Sequence, residues 1–429
     1  MSDIPSRDPL EAIACRLLSS ERLVSLVRTV LESTNPEGAP DGDAYEAAID
    51  RAYASARKEE KLRRREDGRK AQILSVLEAV GVEGLLRSRR KLSGLAVYEA
   101  LQERCQAVRH DDPAEMVRLA SAATALAEKL SAPRYGEERV IDYQCRAWVE
   151  LGNAYRVADR LADAEQALAR AAQLFLQGTR DDLLEARMYD IQASLYNDCR
   201  RPREALEALD TVEAIYLRRG DLHLAGRALI SKGMYVGYNG SHEEAIKLTT
   251  EGINRLDQQR DPTLVFTAVH NLAGFLIDRG NYPEARLFLR TNRWRVKNAG
   301  GQVNSLKVLW LEAQVALGLG NLEEAEQGLL EVRKGFDEAE LPYKAALSAL
   351  ELAVVYLRQK RYDEARSTVW KNLDRFVALK IPSEALVSVL VLRRAFEMGT
   401  AQGGALLRTV IEFLKRAESD PTVKLDDWI

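Results

Sequence analysis

Histidine and cysteine are scarce in this chain of 429 residues, which contains four of each. The histidines are His110, His223, His242 and His270, and the cysteines are Cys15, Cys105, Cys145 and Cys199. The chain has no HExxH pair, no CxxC pair and no glycine-rich phosphate or nucleophile motif. The sequence therefore predicts reduced, structural thiols, no metal or other cofactor, and no enzymatic activity.

The chain also lacks long apolar segments and an excess of either charge. No stretch approaches the roughly 20 apolar residues that span a bilayer, and the N-terminus MSDIPSRDPLEAIA does not have the pattern of a signal peptide. Lys and Arg number 62 against 65 Asp and Glu, a net charge of -3. We expect a cytoplasmic protein that contacts neither membrane nor DNA, and the sequence leaves its oligomeric state open.

What the chain has instead is an internal repeat. The segment from Trp148 reads WVELGNAY and is followed by alanines that recur along the chain at separations of 41, 40, 40, 40, 40 and 40 residues. These alanines are Ala164, Ala205, Ala245, Ala285, Ala325, Ala365 and Ala405. Glu or Asp precedes most of them, as the first turn of a helix favours. This period indicates a stack of helical hairpins.

Turn and packing residues follow the same period. Glycines fall where the first helix of a hairpin should end, and prolines fall between hairpins. Small residues let the two helices approach closely, and tyrosines fill the space beside them. The turn residues are Gly240, Gly280, Gly320, Pro262, Pro342 and Pro382. The packing residues are Gly152, Ala193, Gly233, Ala273, Ala313, Ala353, Tyr155, Tyr196 and Tyr356.

The pattern W-x2-L-G-x2-Y with its later alanines resembles the tetratricopeptide repeat (TPR) family over residues 140–416. The period exceeds that family's usual length of about 34 residues and is similar to the long repeats of kinesin light chains and bacterial regulatory proteins. The resemblance implies an all-α fold, a right-handed α-solenoid whose first helices line a concave groove for a peptide or protein segment. The chaperone-type carboxylate clamp is not expected, because Val149 and Ile191 stand where Lys and Asn are needed.

The sequence divides into six predicted segments. They are an N-terminal helix and linker (1–43), a charged helical extension (44–92), a divergent hairpin (93–139), the TPR-like array (140–382), a capping hairpin (383–418) and a tail (419–429). Ala114 is assigned the place of the repeat alanine in the divergent hairpin. Predicted helices cover residues 10–31 and 44–68, and Trp428 in the tail either docks on the array or belongs to a linear peptide for another protein.

The stretch SVLEAVGVEGLLRSRRKL resembles the cadence of a helix-turn-helix, with Gly81 at the turn. A recognition helix needs polar side chains that reach base edges, and this one is largely apolar, which argues against DNA binding. The preceding run KEEKLRRREDGRK has mixed charge and is either a solvated helix face or a contact for an acidic partner.

The register identifies the first-helix residues that would face a groove. The predicted partner-binding residues are Arg146, Asn153, Arg187, Asn197, Arg227, His270, Trp310 and Gln314. The arginines recur at one repeat position, with Lys307 further on, and suit carboxylates, while the asparagines suit a peptide backbone. Leu317, Leu350, Val354 and Leu357 extend the face with apolar side chains. The alternatives are solvated arginine stems and a core between repeats.

Three functions fit these observations. The first is a non-enzymatic scaffold or regulator that captures a protein or peptide segment, with an acidic-then-hydrophobic segment favoured. The second is a peptide-sensing transcriptional regulator similar to quorum-sensing TPR receptors. The third is the sensor subunit of an enzyme or effector on a separate chain.

Overall fold

The computed structural model describes residues 42–87, 94–109, 112–295, 300–379 and 400–419, together with 389 and 392. The predicted helix over 10–31, Cys15, His110, Pro382 and the tail with Trp428 lie outside these residues. All regular secondary structure in the described ranges is helical, which confirms the predicted all-α fold. None of the described helices is long and apolar enough to span a membrane.

The chain forms two compact units, Met1–Leu184 and Glu185–Ile429. The helices of the first unit are α1 (Gly42–Arg87), α2 (Leu95–Val108), α3 (Pro113–Ala127), α4 (Ala132–Tyr135), α5 (Glu137–Val157) and α6 (Leu161–Phe175). The next helices are α7 (Asp182–Asp198), which contains the unit boundary, α8 (Pro202–Arg218), α9 (Leu222–Tyr238), α10 (His242–Arg255), α11 (Pro262–Asp278) and α12 (Tyr282–Thr291). The last are α13 (Gln302–Leu319), α14 (Leu322–Glu338), α15 (Pro342–Arg358), α16 (Tyr362–Ala378) and α17 (Thr400–Ser419).

Hairpins form where the repeat predicts them. The repeat alanine is the fourth residue of each second helix from α6 to α16, and all six of these alanines are 0% exposed. Opposite them the first helices carry small buried residues. A Cβ on Gly152 would lie 2.9 Å from Leu168 Cγ, and one on Gly233 would lie 3.2 Å from the carbonyl oxygen of Ala245. The two helices therefore meet too closely for a larger side chain.

The turn inside each hairpin has one backbone conformation. The residue two positions before the second helix has positive φ in all six hairpins, and the peptide N–H of the following residue donates back to the first helix, as in the Schellman motif. These residues are Asp159, Arg200, Gly240, Gly280, Gly320 and Lys360. Glycine occupies only half of these positions, although the left-handed region costs other residues about 1–2 kcal/mol.

In three hairpins an arginine secures this turn. The Arg160 guanidinium lies 4.3 Å from the ring centroid of Tyr155 and donates to the Asp163 carboxylate in the first turn of α6 at 2.7 Å. The same arrangement recurs at Arg201, Tyr196 and Glu204 and at Arg361, Tyr356 and Glu364. The predicted packing tyrosines thus also hold a cation over their rings.

Two sequence assignments near the N-terminus need correction. Ala114 is exposed, and the fourth residue of α3 is Met116, which is fully buried, so Met116 takes the place of the repeat alanine. Helix α1 does not end near Gly68 but continues to a kink at Gly81, beyond which a short helical segment runs to Arg87. The packing of Ile73 and Leu77 on α2 and α3 outweighs the low helix propensity of Gly68.

The predicted turn at Gly81 is present, with φ of 68° inside α1. The short segment after it buries Val82 and Leu85 in the core of the first unit. Arg89, Arg90 and Lys91, the basic residues that follow this segment in the sequence, lie outside the described residues. A helix whose side chains fill a core is poorly suited to read DNA bases, and this counts against the DNA-binding hypothesis.

A buried carboxylate joins α1 to the first hairpin. Glu66 accepts hydrogen bonds from the peptide N–H of Ala96 at 3.1 Å, from Arg134, and from the Tyr135 hydroxyl at 3.3 Å. Arg134 and Tyr135 belong to the SAPRYGEERV insertion that separates this hairpin from the next. The insertion therefore adds a cation and a hydroxyl donor to a buried carboxylate that otherwise accepts from the Ala96 peptide N–H.

We expect Lys360→Gly to raise the free energy of unfolding by about 0.5–1 kcal/mol, because relief of the left-handed backbone outweighs the greater entropy of unfolded glycine. Gly280→Ala, at the same turn position, should lower it by about 1 kcal/mol, since space for the methyl group is open and only the backbone is strained. Urea unfolding measures both. Lys360→Ala is the control for loss of the lysine side chain, and equal stability of the glycine and alanine variants would contradict the prediction.

We expect Glu66→Ala to lower the free energy of unfolding of the first unit by about 2–3 kcal/mol and to increase amide hydrogen exchange in the second half of α1, because Arg134 then faces no carboxylate. The matched control is Glu103→Ala, which removes an exposed pair with Lys70 at 3.0 Å and should cost less than about 1 kcal/mol. Equal losses in the free energy of unfolding would show that the Glu66 carboxylate contributes no more than an exposed ion pair does.

Candidate peptide-binding face

The predicted site residues are divided between the two units. Arg146 and Asn153 lie on α5 in the first unit, and the other six lie on α7, α9, α11 and α13 beyond residue 184. Arg146 is exposed, whereas Asn153 is buried and its side-chain oxygen accepts from Arg156 at 3.0 Å and 3.2 Å. The Asn153 oxygen is thus occupied within its own helix, while Asn197 on α7 is half-buried.

The second-unit arginines share a carboxylate that the sequence reasoning missed. Asp190 Oδ2 lies 3.4 Å from Arg187 Nη1 and 3.1 Å from Arg227 Nη2. Because the three side chains together carry one net positive charge, the cationic ladder predicted from the arginines alone is weaker than expected. The pair still presents guanidinium groups at a partly exposed surface, with side-chain exposures of 28% and 36%.

Trp310 and Gln314 meet at a second carboxylate that was not predicted, Glu351 on α15. The Trp310 indole N–H donates to Glu351 Oε2 at 2.6 Å, and the Gln314 amide donates to Oε1 at 2.9 Å. Lys415 of α17 forms an ion pair with the same carboxylate and lies 5.4 Å from the centroid of the Trp310 ring. Glu351 is only 5% exposed, so these donors are what makes its burial tolerable.

Trp310 is held from its other side as well. Its ring meets Phe336 of α14 edge to face, with centroids 5.5 Å apart. Half-buried and fixed by a hydrogen bond, an ion-paired neighbour and an aromatic contact, the indole has little rotamer freedom left to lose on binding. Such preorganised aromatic side chains are the residues that contribute most at binding surfaces.

His270 lies in a cationic environment on α11. Burial lowers its pKa to about 4, with Lys307, Lys344 and Lys415 acting in the same direction and a hydrogen bond with Asn271 opposing them. The imidazole is therefore neutral near pH 7. We call His270, Lys307, Trp310, Gln314, Lys344 and Lys415 the first-helix face, since all but the last belong to first helices of the second unit.

Charges from distant helices influence one another around this face. Burial raises the pKa of Asp278 on α11. The positive charge of Lys415 lowers this pKa, and the negative charge of Glu351 raises it. Burial also raises the pKa of Tyr238 on α9, although 43% of this residue is exposed, and Arg416 of α17 opposes the shift. Side chains of α9, α11, α15 and α17 of this unit therefore lie near enough for their charges to interact.

The apolar part of the predicted face is core instead. Leu350 and Val354 are buried with Val389, Leu392 and Leu407, and Leu317 and Leu357 pack against that cluster. Adjacent hairpins need this contact to exclude water, which is why the alternative of a core between repeats is correct here.

The missed carboxylates had a signal in the sequence. Asp190 precedes Arg227 by 37 residues, and Glu351 follows Trp310 by 41 and Gln314 by 37. In an array with a period of 40, these separations place the two residues within one helical turn of equivalent positions on adjacent first helices. Carboxylates at these separations from the predicted site residues could have been sought. Among the described residues, no three His, Cys, Asp or Glu side chains are grouped closely enough to hold a metal ion.

The pKa of His270 makes stability depend on pH. In the unfolded chain histidine titrates near 6.5, so unfolding takes up a proton between about pH 6.5 and pH 4, and stability falls as the pH falls through that range. We expect the wild type to lose more stability between pH 7 and pH 5 than His270→Gln does, and the His270 ring protons to titrate below pH 5 in NMR. A midpoint near 6.5 would contradict the cationic environment.

Comparison with known proteins identifies the fold and no closer relationship. No family model matches the chain, and no curated protein matches its sequence. The structure of the apo form of RapI is similar, with a TM-score of 0.55 and 14% identity over 75% of this chain and 88% of RapI.

Two further solved structures share the arrangement of helices. A Rap protein complexed with competence and sporulation factor has a TM-score of 0.51 and 11% identity, covering 76% of this chain and 88% of that one. Aspartyl phosphate phosphatase F from Bacillus subtilis has a TM-score of 0.51 and 12% identity, covering 87% and 96%. At such identities the fold is what is shared, and this chain has the TPR-like fold of stacked helical hairpins.

Proposed function

We propose that the unit Glu185–Ile429 binds an extended segment of a peptide or protein on the first-helix face, and that the chain is a non-enzymatic regulator or scaffold. The observation that carries this proposal is the Glu351 network, which fixes Trp310 and Gln314 on a surface that remains partly exposed. An indole and an amide on one face bind a chain through apolar contact and hydrogen bonds, and the lowered pKa of His270 makes its imidazole a weak base.

The charge of the face favours an acidic segment. Lys307, Lys344 and Lys415 all act on His270, and Lys415 also pairs with Glu351. A segment with Asp or Glu side chains gains from this field, and an apolar residue beside them can pack on the half-buried Trp310 ring. Arg187 and Arg227 supply one further net charge on neighbouring first helices.

The similar structures support a binding role in a limited way. One of them is a complex of a Rap protein with competence and sporulation factor, so this fold is compatible with holding another molecule. Another carries the name of a phosphatase. The proposal that this chain is not an enzyme therefore rests on its own residues, among which four histidines without a partner at catalytic spacing are the main argument.

Selection from a phage-displayed library of random peptides on the immobilised full chain tests this function. We expect the recovered peptides to combine Asp or Glu with an apolar residue and to lose at least about tenfold in affinity for the double variant Lys307→Gln/Lys344→Gln. Their binding should weaken as salt increases, because part of it is electrostatic. Fluorescence anisotropy with labelled synthetic copies of the peptides gives the affinities.

The matched control is Lys334→Gln/Arg366→Gln, which removes two exposed cations from the second helices α14 and α16 and should leave affinity unchanged. The triple variant Arg146→Gln/Arg187→Gln/Arg227→Gln tests the arginines separately, with melting temperature as the check on folding. Peptides without acidic residues, or equal losses in the control, would overturn the assignment to the first-helix face.

A further inference from the structure

The second helix α12 presents large apolar side chains to solvent. Leu287 is 64% exposed, and Trp294, three residues beyond the end of α12, is 51% exposed. They are seven residues apart in the sequence, one on α12 and one in the segment that directly follows it. Two large apolar side chains exposed so close together are more than a solvated surface requires.

The repeat itself shows that these are solvent positions. In the five other hairpins formed by α5 to α16, the position of Leu287 carries Gln166, Glu207, Lys247, Gln327 and Ser367, all of them exposed. The position of Trp294 carries Gln173, Ala214, Asn254, Lys334 and Asp374. Leucine and tryptophan occur at this pair of positions in one hairpin only, so packing of the array does not account for them.

The surrounding residues are cationic. The segment 286–295 reads RLFLRTNRWR, with four arginines and no Asp or Glu. Arg286 and Arg293 reach carboxylates on the next hairpin, Glu324 at 2.9 Å and Glu312 at 3.6 Å. These are exposed pairs worth less than about 1 kcal/mol, so the carboxylates of a partner can compete for the arginines.

The end of α12 positions Arg295 and Trp294 through hydrogen bonds of Asn292. The helix has 10 residues, whereas the other second helices of the array have 14 to 17. Buried Asn292 donates to the carbonyl oxygen of Phe288 at 2.9 Å and accepts from Arg295 at 2.6 Å. Arg295 lies 5.1 Å from the Trp294 ring centroid. The asparagine thus closes the helix and positions the arginine against the exposed indole.

We propose that this surface is a second docking site, which takes an acidic amphipathic helix of a partner protein. We call it the α12 patch; it consists of Leu287, Arg290, Arg293, Trp294 and Arg295. Leucine and tryptophan contact the apolar side of such a helix, and the arginines contact its acidic edges. A nucleic acid fits less well, because the carboxylates of Glu312 and Glu324 lie beside the arginines and repel phosphates, and because the Leu287 side chain has no group that binds a phosphate.

The probe is a fluorescein-labelled synthetic helical peptide with leucines along one side and glutamates on both edges, and fluorescence anisotropy measures its binding to the full chain. We expect binding that weakens by at least about tenfold in Leu287→Gln/Trp294→Asn, whose new side chains are those of sister hairpins and should fold normally. Arg290→Glu/Arg293→Glu should weaken it as well, whereas Arg366→Glu on α16 is the control and should not.

Three results would overturn the proposal. One is the absence of binding by the wild type. Another is preferential binding of single-stranded poly(U) RNA, which would make the arginines a nucleic-acid surface. The third is loss of binding in Lys307→Gln/Lys344→Gln together with unchanged binding in the α12 variants. That result would place the peptide on the first-helix face, which supports the proposed function and contradicts the α12 docking site. Retention in that lysine variant supports the α12 patch.

Discussion

The close contact between a small residue on each first helix and an alanine in the first turn of each second helix governs the rest of this molecule. At Gly152 and Gly233 even a methyl group would overlap the facing helix. With the two helices held at this distance, the turn between them has room for one conformation, in which a residue with positive φ directs the chain back. Hairpins made in this way have nearly equal lengths, and equal lengths keep successive first helices in register.

The register between adjacent first helices brings the residues of the candidate site together. When adjacent first helices are offset by 40 residues, a side chain meets its neighbours 37 and 41 positions away, as Gln314 and Trp310 meet Glu351. The buried carboxylate requires donors, and it obtains two from α13 of the preceding hairpin and one from α17. The polar network is therefore a product of stacking, and it fixes the indole more firmly than packing against Phe336 alone would.

The first hairpin of the first unit packs its two helices with a different residue at the contact. There a methionine, Met116, fills the place of the alanine, and α1 packs on the hairpin through Ile73 and Leu77. The insertion that interrupts the repeat supplies Arg134 and Tyr135 to the carboxylate of Glu66. A terminal hairpin has only one neighbour in the array, and a packed helix on its outer side replaces the missing one.

Periodicity in the sequence determined the all-α fold, the hairpin positions and the turn residues, because the 40-residue period, the buried alanines and the glycines all follow from local helix geometry. It also located Trp310, Gln314 and His270 on one kind of helix face. The tertiary structure decided which charges the site residues meet, since Glu351 and Lys415 belong to other hairpins than Trp310 and Gln314. In the same way Asp190 joins Arg187 of its own helix to Arg227 of the next hairpin. The tertiary structure likewise assigned Leu350 and Val354 to the core and Leu287 and Trp294 to solvent. All four side chains are hydrophobic, and whether each is buried depends on the neighbouring hairpins that pack on it.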